Sequence, residues 1–100
     1  MSLHCPARLV VMPPGTTAEL SDRRIAAVYA GPGEATAAQA PATGLALPVT
    51  VVPALERGLD AAVQEIGDLH PGETVLVVTG CVAPMEIEYD GDTWAVVHRP

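Results

Sequence analysis

The sequence predicts an α/β fold in which a mainly parallel sheet is flanked by helices and followed by a C-terminal β-hairpin. Three observations indicate this class. Short, β-branched apolar runs alternate with helical segments, which is typical of parallel strands joined by crossover helices. The run Thr74–Thr79 is apolar on both faces, as in a central parallel strand. Asp90-Gly91 separates two strand-like runs and indicates a tight hairpin turn.

The N-terminal part is predicted to contain a strand and a short helix. The run Arg8–Met12 is mostly apolar and β-branched, and Pro13-Pro14-Gly15 closes it as a turn. Thr16 and Glu19 have the spacing of a capping box. A short helix is therefore expected from Thr16 to about Arg24.

The middle of the chain is predicted to add two strands with a helix between them. Ile25–Ala30 is the second strand, and Gly31-Pro32-Gly33 ends it. The alanine-rich stretch Glu34–Ala40 predicts a helix that Pro41 terminates. Pro48–Pro53 is predicted as the third strand.

The C-terminal half carries the most regular helical pattern, over Ala54–Leu69, where apolar residues recur every three or four positions. His70-Pro71-Gly72 ends this helix, and Thr74–Thr79 is the fourth strand. Glu86–Val97 contains the two strands of the hairpin. Because only Gly80–Met85 connects the fourth strand to it, and a parallel return takes about a dozen residues or more, the hairpin must pair antiparallel or lie at an edge.

Length and composition limit the classes of function. With 100 residues, the chain is expected to form a single domain, 1–100. The net charge of −7 repels nucleic acid and anionic lipid, so neither partner is expected. All basic residues are arginines, which excludes Schiff-base and P-loop lysine chemistry. The sequence shows no membrane-length apolar run and no secretory signal, so a cytoplasmic protein without membrane contact is expected.

Ligand sites in parallel sheets lie where the carboxyl ends of the strands lead into loops. In this chain the rule selects four segments, which are Pro13–Thr17, Ala30–Glu34, Pro53–Arg57 and Thr79–Pro84. Any binding or catalytic residue of the domain is expected in these segments.

Patterns that could hold a cofactor or a metal ion have simpler structural interpretations. Gly31-Pro32-Gly33 precedes a helix, but the proline lacks the N–H that a pyrophosphate would need, so a turn is predicted and no cofactor is expected. The three histidines, His4, His70 and His98, share no ligand spacing. They are expected at the surface, and no metal site is predicted.

Cys81 follows the fourth strand, where a thiol could be activated, but a nucleophilic thiol also needs a base. His4 and His70 are expected at the opposite end of the sheet. Cys81 is therefore predicted to be an incidental thiol, too far from Cys5 to form a disulfide.

The C-terminal hairpin carries four alternating acidic residues, Glu86, Glu88, Asp90 and Asp92. Charged residues at such positions protect an edge strand from pairing with other chains. A solvated edge is predicted here rather than a catalytic carboxylate pair.

Four segments in order carry a resemblance to a known family. Leu9–Met12 runs into Pro13–Thr17, Val28–Gly33 leads into an alanine-rich stretch, Gly44–Leu55 contains a Gly-Leu-Ala-Leu-Pro-Val passage, and His70–Gly80 ends in Val-Val-Thr-Gly. Together they resemble a shortened member of the histidine phosphatase (phosphoglycerate mutase-like) superfamily. The family has Arg-His-Gly-Glu-Thr after its first strand and Ser-His-Gly after its fourth.

The resemblance implies a phosphate site whose reactive groups have been replaced. In the family an imidazole attacks phosphorus, while two arginines and a second histidine hold the phosphoryl group. The matching positions are Pro14 for the nucleophile, Pro13 for its neighbouring arginine, Ala35 for the helix arginine and Gly80 for the second histidine. The resemblance assigns a vestigial pocket to Pro13, Pro14, Gly15, Thr16, Ala35, Glu56, Gly80 and Cys81.

The expected function is that of a catalytically inactive, phosphatase-like domain that serves as a binding or assembly module. The family helix expected after Gly80 is missing, so apolar surface is expected around Val82–Met85, and the partner is predicted to be a second copy of the chain or another protein. Two alternatives stay open. The pocket could bind a small, phosphate-containing anion through loop amides, or Cys81 could support a thiol-dependent enzyme.

Overall fold

The computed structural model describes residues 6–13, 24–80, 84–91 and 93–98. It contains six strands, two α-helices and one 3₁₀ helix. The strands are β1 (Ala7–Met12), β2 (Ile25–Ala30), β3 (Val49–Val51), β4 (Thr74–Val78), β5 (Met85–Tyr89) and β6 (Trp94–His98). The helices are α1 (Ala35–Leu45), α2 (Leu59–Leu69) and the 3₁₀ helix Pro53–Glu56. The helix predicted from Thr16 lies outside the described residues.

All six strands form one sheet, with the order β3-β2-β4-β1-β5-β6. Strands β1 to β4 pair in parallel, whereas β5 pairs antiparallel with both β1 and β6. The predicted α/β class is confirmed, but the prediction of a mainly parallel sheet is wrong because the sheet is mixed. The connection between β4 and β5 is too short for a parallel crossover, so the chain returns antiparallel beside β1, as its length required.

The sheet is buried on both faces at its centre. Along β4, Val75 and Val77 face α2, whereas Leu76 and Val78 face α1, and all four are at most 2% exposed. Alternate side chains of a strand point to opposite faces, so each face has its own core cluster. The sequence prediction of a central strand that is apolar on both faces is confirmed.

Helix α1 continues through Pro41 to Leu45, so the prediction that Pro41 ends it is wrong. A proline in a helix interior costs about 3 kcal/mol because it lacks an N–H and its ring crowds the preceding turn. Here the flanking residues Ala38 and Ala42 are fully buried against the sheet. Packing on both sides of the proline therefore keeps the helix continuous.

Helix α2 begins at Leu59 rather than at Ala54, which corrects the predicted start. Gly58 has a φ of 126°, a conformation that other residues rarely adopt, and it separates α2 from the 3₁₀ helix. The predicted buried face is confirmed for Ala62, Val63 and Ile66 of α2, which lie in the core, but it is wrong for Leu69, which is 65% exposed at the end of the helix. Neither helix, nor any other helix in the described ranges, is long and apolar enough to cross a membrane.

The hairpin between β5 and β6 forms at Asp90-Gly91 as predicted. Gly91 has a φ of 105°, and the Thr93 N–H donates to Asp90 Oδ1 at 2.9 Å. The Asp90 N–H donates to the Thr93 carbonyl oxygen at 3.1 Å. The glycine supplies the left-handed backbone that a tight hairpin turn requires.

Helix α2 approaches β5 closely at Gly67. A β-carbon added to Gly67 would overlap the ring of Tyr89, which is itself buried. The Tyr89 hydroxyl lies 2.9 Å from Asp68 Oδ1 and 3.0 Å from the Gly91 carbonyl oxygen. Two acceptors thus hold the hydroxyl end of the ring, which leaves it little room to move away.

Replacing Gly67 with alanine should destabilise the fold although alanine favours helix. The gain in helix propensity is about 1 kcal/mol, whereas overpacking a core costs about 1–3 kcal/mol. The overlap with the Tyr89 ring favours the upper end of this cost, so a net loss of about 1–2 kcal/mol is expected. Gly44→Ala is the matched control, because Gly44 is exposed in α1 and nothing lies within 4 Å of an added β-carbon. Urea denaturation should show that Gly44→Ala is stabilising by about 0.5–1 kcal/mol. Equal stabilisation by both variants would contradict the close packing at Gly67.

Candidate functional site

A cleft of about 330 Å³ opens at the carboxyl ends of the parallel strands. Its described lining consists of Gly31, Pro32, Gly33, Glu34, Leu55, Glu56, Thr79 and Gly80. These residues belong to three of the four loop segments that the strand-end rule selected. The sequence prediction of where a ligand site would lie therefore agrees with the position of the cleft.

Backbone hydrogen bonds beyond the strand ends hold these loops together. The Gly31 N–H donates to the Val78 carbonyl oxygen at 3.1 Å, and the Thr79 N–H donates to that of Met12 at 3.1 Å. The Val52 N–H donates to the Ala30 carbonyl oxygen at 2.8 Å. The backbone hydrogen bonding between the parallel strands thus continues into the loops and holds the base of the cleft in place.

The Glu34 carboxylate lies between two glycines in the cleft. A β-carbon at Gly31 would be 2.5 Å from Glu34 Oε1, and one at Gly80 would be 3.6 Å from Oε2. The Glu34 N–H donates to the Gly31 carbonyl oxygen at 2.9 Å, which closes the turn before α1. The missing side chains at Gly31 and Gly80 leave room for this carboxylate.

Thr79 contributes a hydroxyl to the cleft. The residue is only 7% exposed, and the alternation along β4 directs its side chain to the face of Val77, where Leu55 of the 3₁₀ helix also packs. None of the hydrogen bonds between described residues uses this hydroxyl. Within the same residues no fully buried side-chain oxygen lacks a partner, so the Thr79 oxygen is not fully buried.

The charge of the cleft is negative. Glu34 is half-buried and Glu56 is exposed, and among the described lining residues none is basic. Arg57 follows Glu56 but is exposed and does not line the cleft. The N-terminus of α1 adds about half a unit of positive charge, which is less than the two carboxylates carry.

The structure places only part of the predicted pocket. Glu56 and Gly80 line the cleft, Ala35 is the first residue of α1, and Pro13 directly follows β1. The other predicted pocket residues, Pro14, Gly15, Thr16 and Cys81, lie outside the described residues. Glu34 and Thr79 are not among the predicted pocket residues, although both fall in the selected loops.

A second polar cluster lies before β4, at the amino end of that strand. The Tyr29 hydroxyl is 2.5 Å from His70 Nε2, and His70 Nδ1 is 2.8 Å from Glu73 Oε1. A carboxylate only accepts hydrogen bonds, so in neutral His70 the proton is on Nδ1 and Nε2 accepts the Tyr29 O–H. The side chain of His70 is 14% exposed, so its predicted surface position is wrong.

The environment of Tyr29 favours its neutral form. Burial raises the pKa of the Tyr29 hydroxyl above its usual value of 10.0, and the negative charge of Glu73 adds to this effect. The cluster fixes the loop between α2 and β4 and is distinct from the cleft at the carboxyl ends.

The acidic residues of the hairpin are partly paired across the sheet. Arg8 Nη2 is 2.9 Å from Glu88 Oε2, and Arg8 Nη1 is 3.5 Å from Glu86 Oε2. Strand β5 lies inside the sheet and Glu86 is 7% exposed. The prediction of a solvated acidic edge is therefore wrong for Glu86, because β6 forms the edge instead.

Within residues 6–13, 24–80, 84–91 and 93–98, no three His, Cys, Asp or Glu residues are grouped so that they could hold a metal ion.

Comparison with protein-family models, with curated proteins and with solved structures finds no match to this chain. The histidine phosphatase resemblance thus stays a prediction from the sequence segments.

Replacing Tyr29 with phenylalanine tests the Tyr29–His70–Glu73 cluster. Loss of the O–H donor should cost about 1 kcal/mol of unfolding free energy at pH 8. Because the folded-state pKa is raised, this contribution of Tyr29 is complete below pH 10 and is lost as the pH rises through the folded pKa. Denaturation curves at pH 8 and pH 11 should therefore show a smaller difference between wild type and variant at the higher pH. A difference that does not change with pH would contradict the raised pKa.

Proposed function

We propose that the chain is a catalytically silent, histidine-phosphatase-like domain that acts as a cytoplasmic binding or assembly module. The observation that supports this proposal best is the Glu34 carboxylate between Gly31 and Gly80. By the family resemblance, Gly80 stands where a histidine would hold the phosphoryl group. A negative charge therefore lies where phosphoryl transfer needs a positive one.

Electrostatics make this arrangement unfavourable for a phosphate substrate. Two like unit charges about 4 Å apart repel by about 4 kcal/mol at an effective dielectric constant of about 20. Glu34 is half-buried, so solvent screens part of this repulsion without changing its sign. Phosphoryl transfer also needs a nucleophile and fixed donors for the developing charge. The methyl group of Ala35 can be neither a nucleophile nor a donor, and Gly80 has no side chain.

The same charges weigh against the first alternative, a binder of small phosphate-containing anions. Glu34 and Glu56 both line the cleft that such an anion would enter, and among its described lining only the half-charge of the α1 N-terminus opposes them. The second alternative, a thiol enzyme, rests on Cys81, which lies outside the described residues, and no contact of a described residue supports it.

The edges of the sheet support an assembly role. Among the described strands, β6 pairs only with β5 and β3 pairs only with β2. Such edges present backbone groups that a strand of another chain can pair with. Ala95 of β6 and Val51 of β3 are exposed there. The proposed partner is a second copy of the chain or another protein.

The proposed lack of catalysis is tested with p-nitrophenyl phosphate. Purified protein should release p-nitrophenol no faster than buffer alone, because the cleft presents carboxylates to the substrate. Gly80→Ala and Pro14→Ala variants serve as controls against a contaminating phosphatase. Turnover by the wild type that either substitution abolishes would overturn the proposal.

The assembly role is tested by light scattering at micromolar concentrations. The wild type should form a dimer, and Ala95→Lys should shift it at least about tenfold toward monomer because a lysine on an edge strand opposes strand pairing. The matched control is Ala37→Lys, which adds the same charge at an exposed position of α1. A wild type that is monomeric throughout, or equal effects of both substitutions, would contradict pairing through β6.

A further inference from the structure

We infer that the cleft lined by Glu34, Glu56 and Thr79 binds an organic cation, an ammonium or guanidinium group on a short stem. This inference rests on the proposed function, because it treats the cleft as a binding site and names the class of its ligand. It reverses the sign of the ligand charge that the family resemblance implies.

The hydrogen-bonding capacity of the cleft matches an organic cation. The carboxylates of Glu34 and Glu56 can only accept hydrogen bonds, and the Thr79 hydroxyl also has lone pairs to offer. A ligand that satisfies all three groups must carry several N–H donors and needs no acceptor. Ammonium and guanidinium groups have this property, and their hydrogen bonds to carboxylates are among the strongest in proteins.

Thr79 supports the inference independently of charge. Thr79 as a residue is only 7% exposed, it lines the cleft, and no described residue forms a hydrogen bond with its hydroxyl. Because its oxygen is not fully buried, this hydroxyl is open to a donor that enters the cleft. A bound N–H donor would pair it at the floor of the cleft.

Size and shape agree with a small cationic group. The volume of about 330 Å³ is at the lower end of the range for ligand pockets, about 300–1,000 Å³. Leu55 supplies an apolar wall against which a short aliphatic stem can pack. A free amine of this size and the end of one arginine or lysine side chain both fit this description.

A divalent metal ion is a weaker candidate than an organic cation. Calcium takes about six to eight oxygen ligands, and magnesium requires nearly ideal octahedral geometry. Here the described lining offers two carboxylates on different elements, one half-buried and the other exposed. An ammonium or guanidinium group tolerates such an incomplete and asymmetric set of acceptors.

The inference is tested by titrating ¹⁵N-labelled protein in separate arms with methylguanidinium, n-butylammonium, inorganic phosphate and magnesium chloride. At least one of the two organic cations should shift the amide signals of Gly31, Gly33 and Gly80 saturably, with a dissociation constant of about 1 mM or lower. Comparison of the two arms distinguishes guanidinium from ammonium recognition. No saturable shift with either cation, or saturation by phosphate or magnesium alone, would overturn the inference.

Three variants separate binding in the cleft from general attraction to an acidic protein. Glu34→Gln keeps the shape of the side chain and should weaken binding about tenfold, whereas Thr79→Val should weaken it about threefold or more. Glu65→Gln is the matched control, because it removes the same charge at an exposed position of α2 outside the cleft. Equal weakening by Glu34→Gln and Glu65→Gln would overturn the inference.

The outcomes for the two proposals are distinguishable. Absence of cation binding would leave the lack of phosphatase activity untouched. Turnover of p-nitrophenyl phosphate would overturn the proposed function whatever the cations do. Dispersed amide signals in each variant show that it is folded, so a loss of binding is assigned to the replaced group.

Discussion

The rest of the structure depends on the position of β4 between β1 and β2, with both of its faces buried. A strand in this place needs apolar side chains in both directions, and Val75–Val78 supply them. Parallel pairing on both sides brings the carboxyl ends of three strands to the same edge of the sheet. The cleft at Gly31 and Gly80 exists because these strands end together.

The mixed sheet is a consequence of the short return after β4. A longer connection with a helix would allow a further parallel strand, but here the chain turns back beside β1 as β5. Arg8 then lies directly opposite Glu88 and within reach of Glu86, which compensates part of the acidic charge that the hairpin carries. The hairpin becomes an extension of the same sheet, and β6 becomes its edge.

The four parallel strands were predictable from the sequence because each is a short apolar run next to Gly or Pro, and β5 and β6 were predictable because they flank the Asp90-Gly91 turn. The continuation of α1 past Pro41 was not predictable, since it depends on burial of Ala38 and Ala42 against a sheet formed by distant segments. In the site, the strand-end rule selected the loops that carry Glu34, Glu56, Thr79 and Gly80, and the family resemblance singled out Glu56 and Gly80 among them. The direction of the Glu34 side chain could not be predicted, because it depends on space that a glycine far along the chain leaves open.

The backbone of the loops around this cleft and the charge of the cleft are set by different residues. The charge can therefore change while the backbone is kept. Backbone hydrogen bonds from Gly31, Val52 and Thr79 fix the loops, whatever side chains these loops carry. The side chains then decide which ligands can enter, since a fold does not specify the chemistry of a site. With a carboxylate between two glycines, the cleft at these strand ends presents negative charge. Function in this domain must therefore be argued from Glu34, Glu56 and Thr79 rather than from the sheet that carries them.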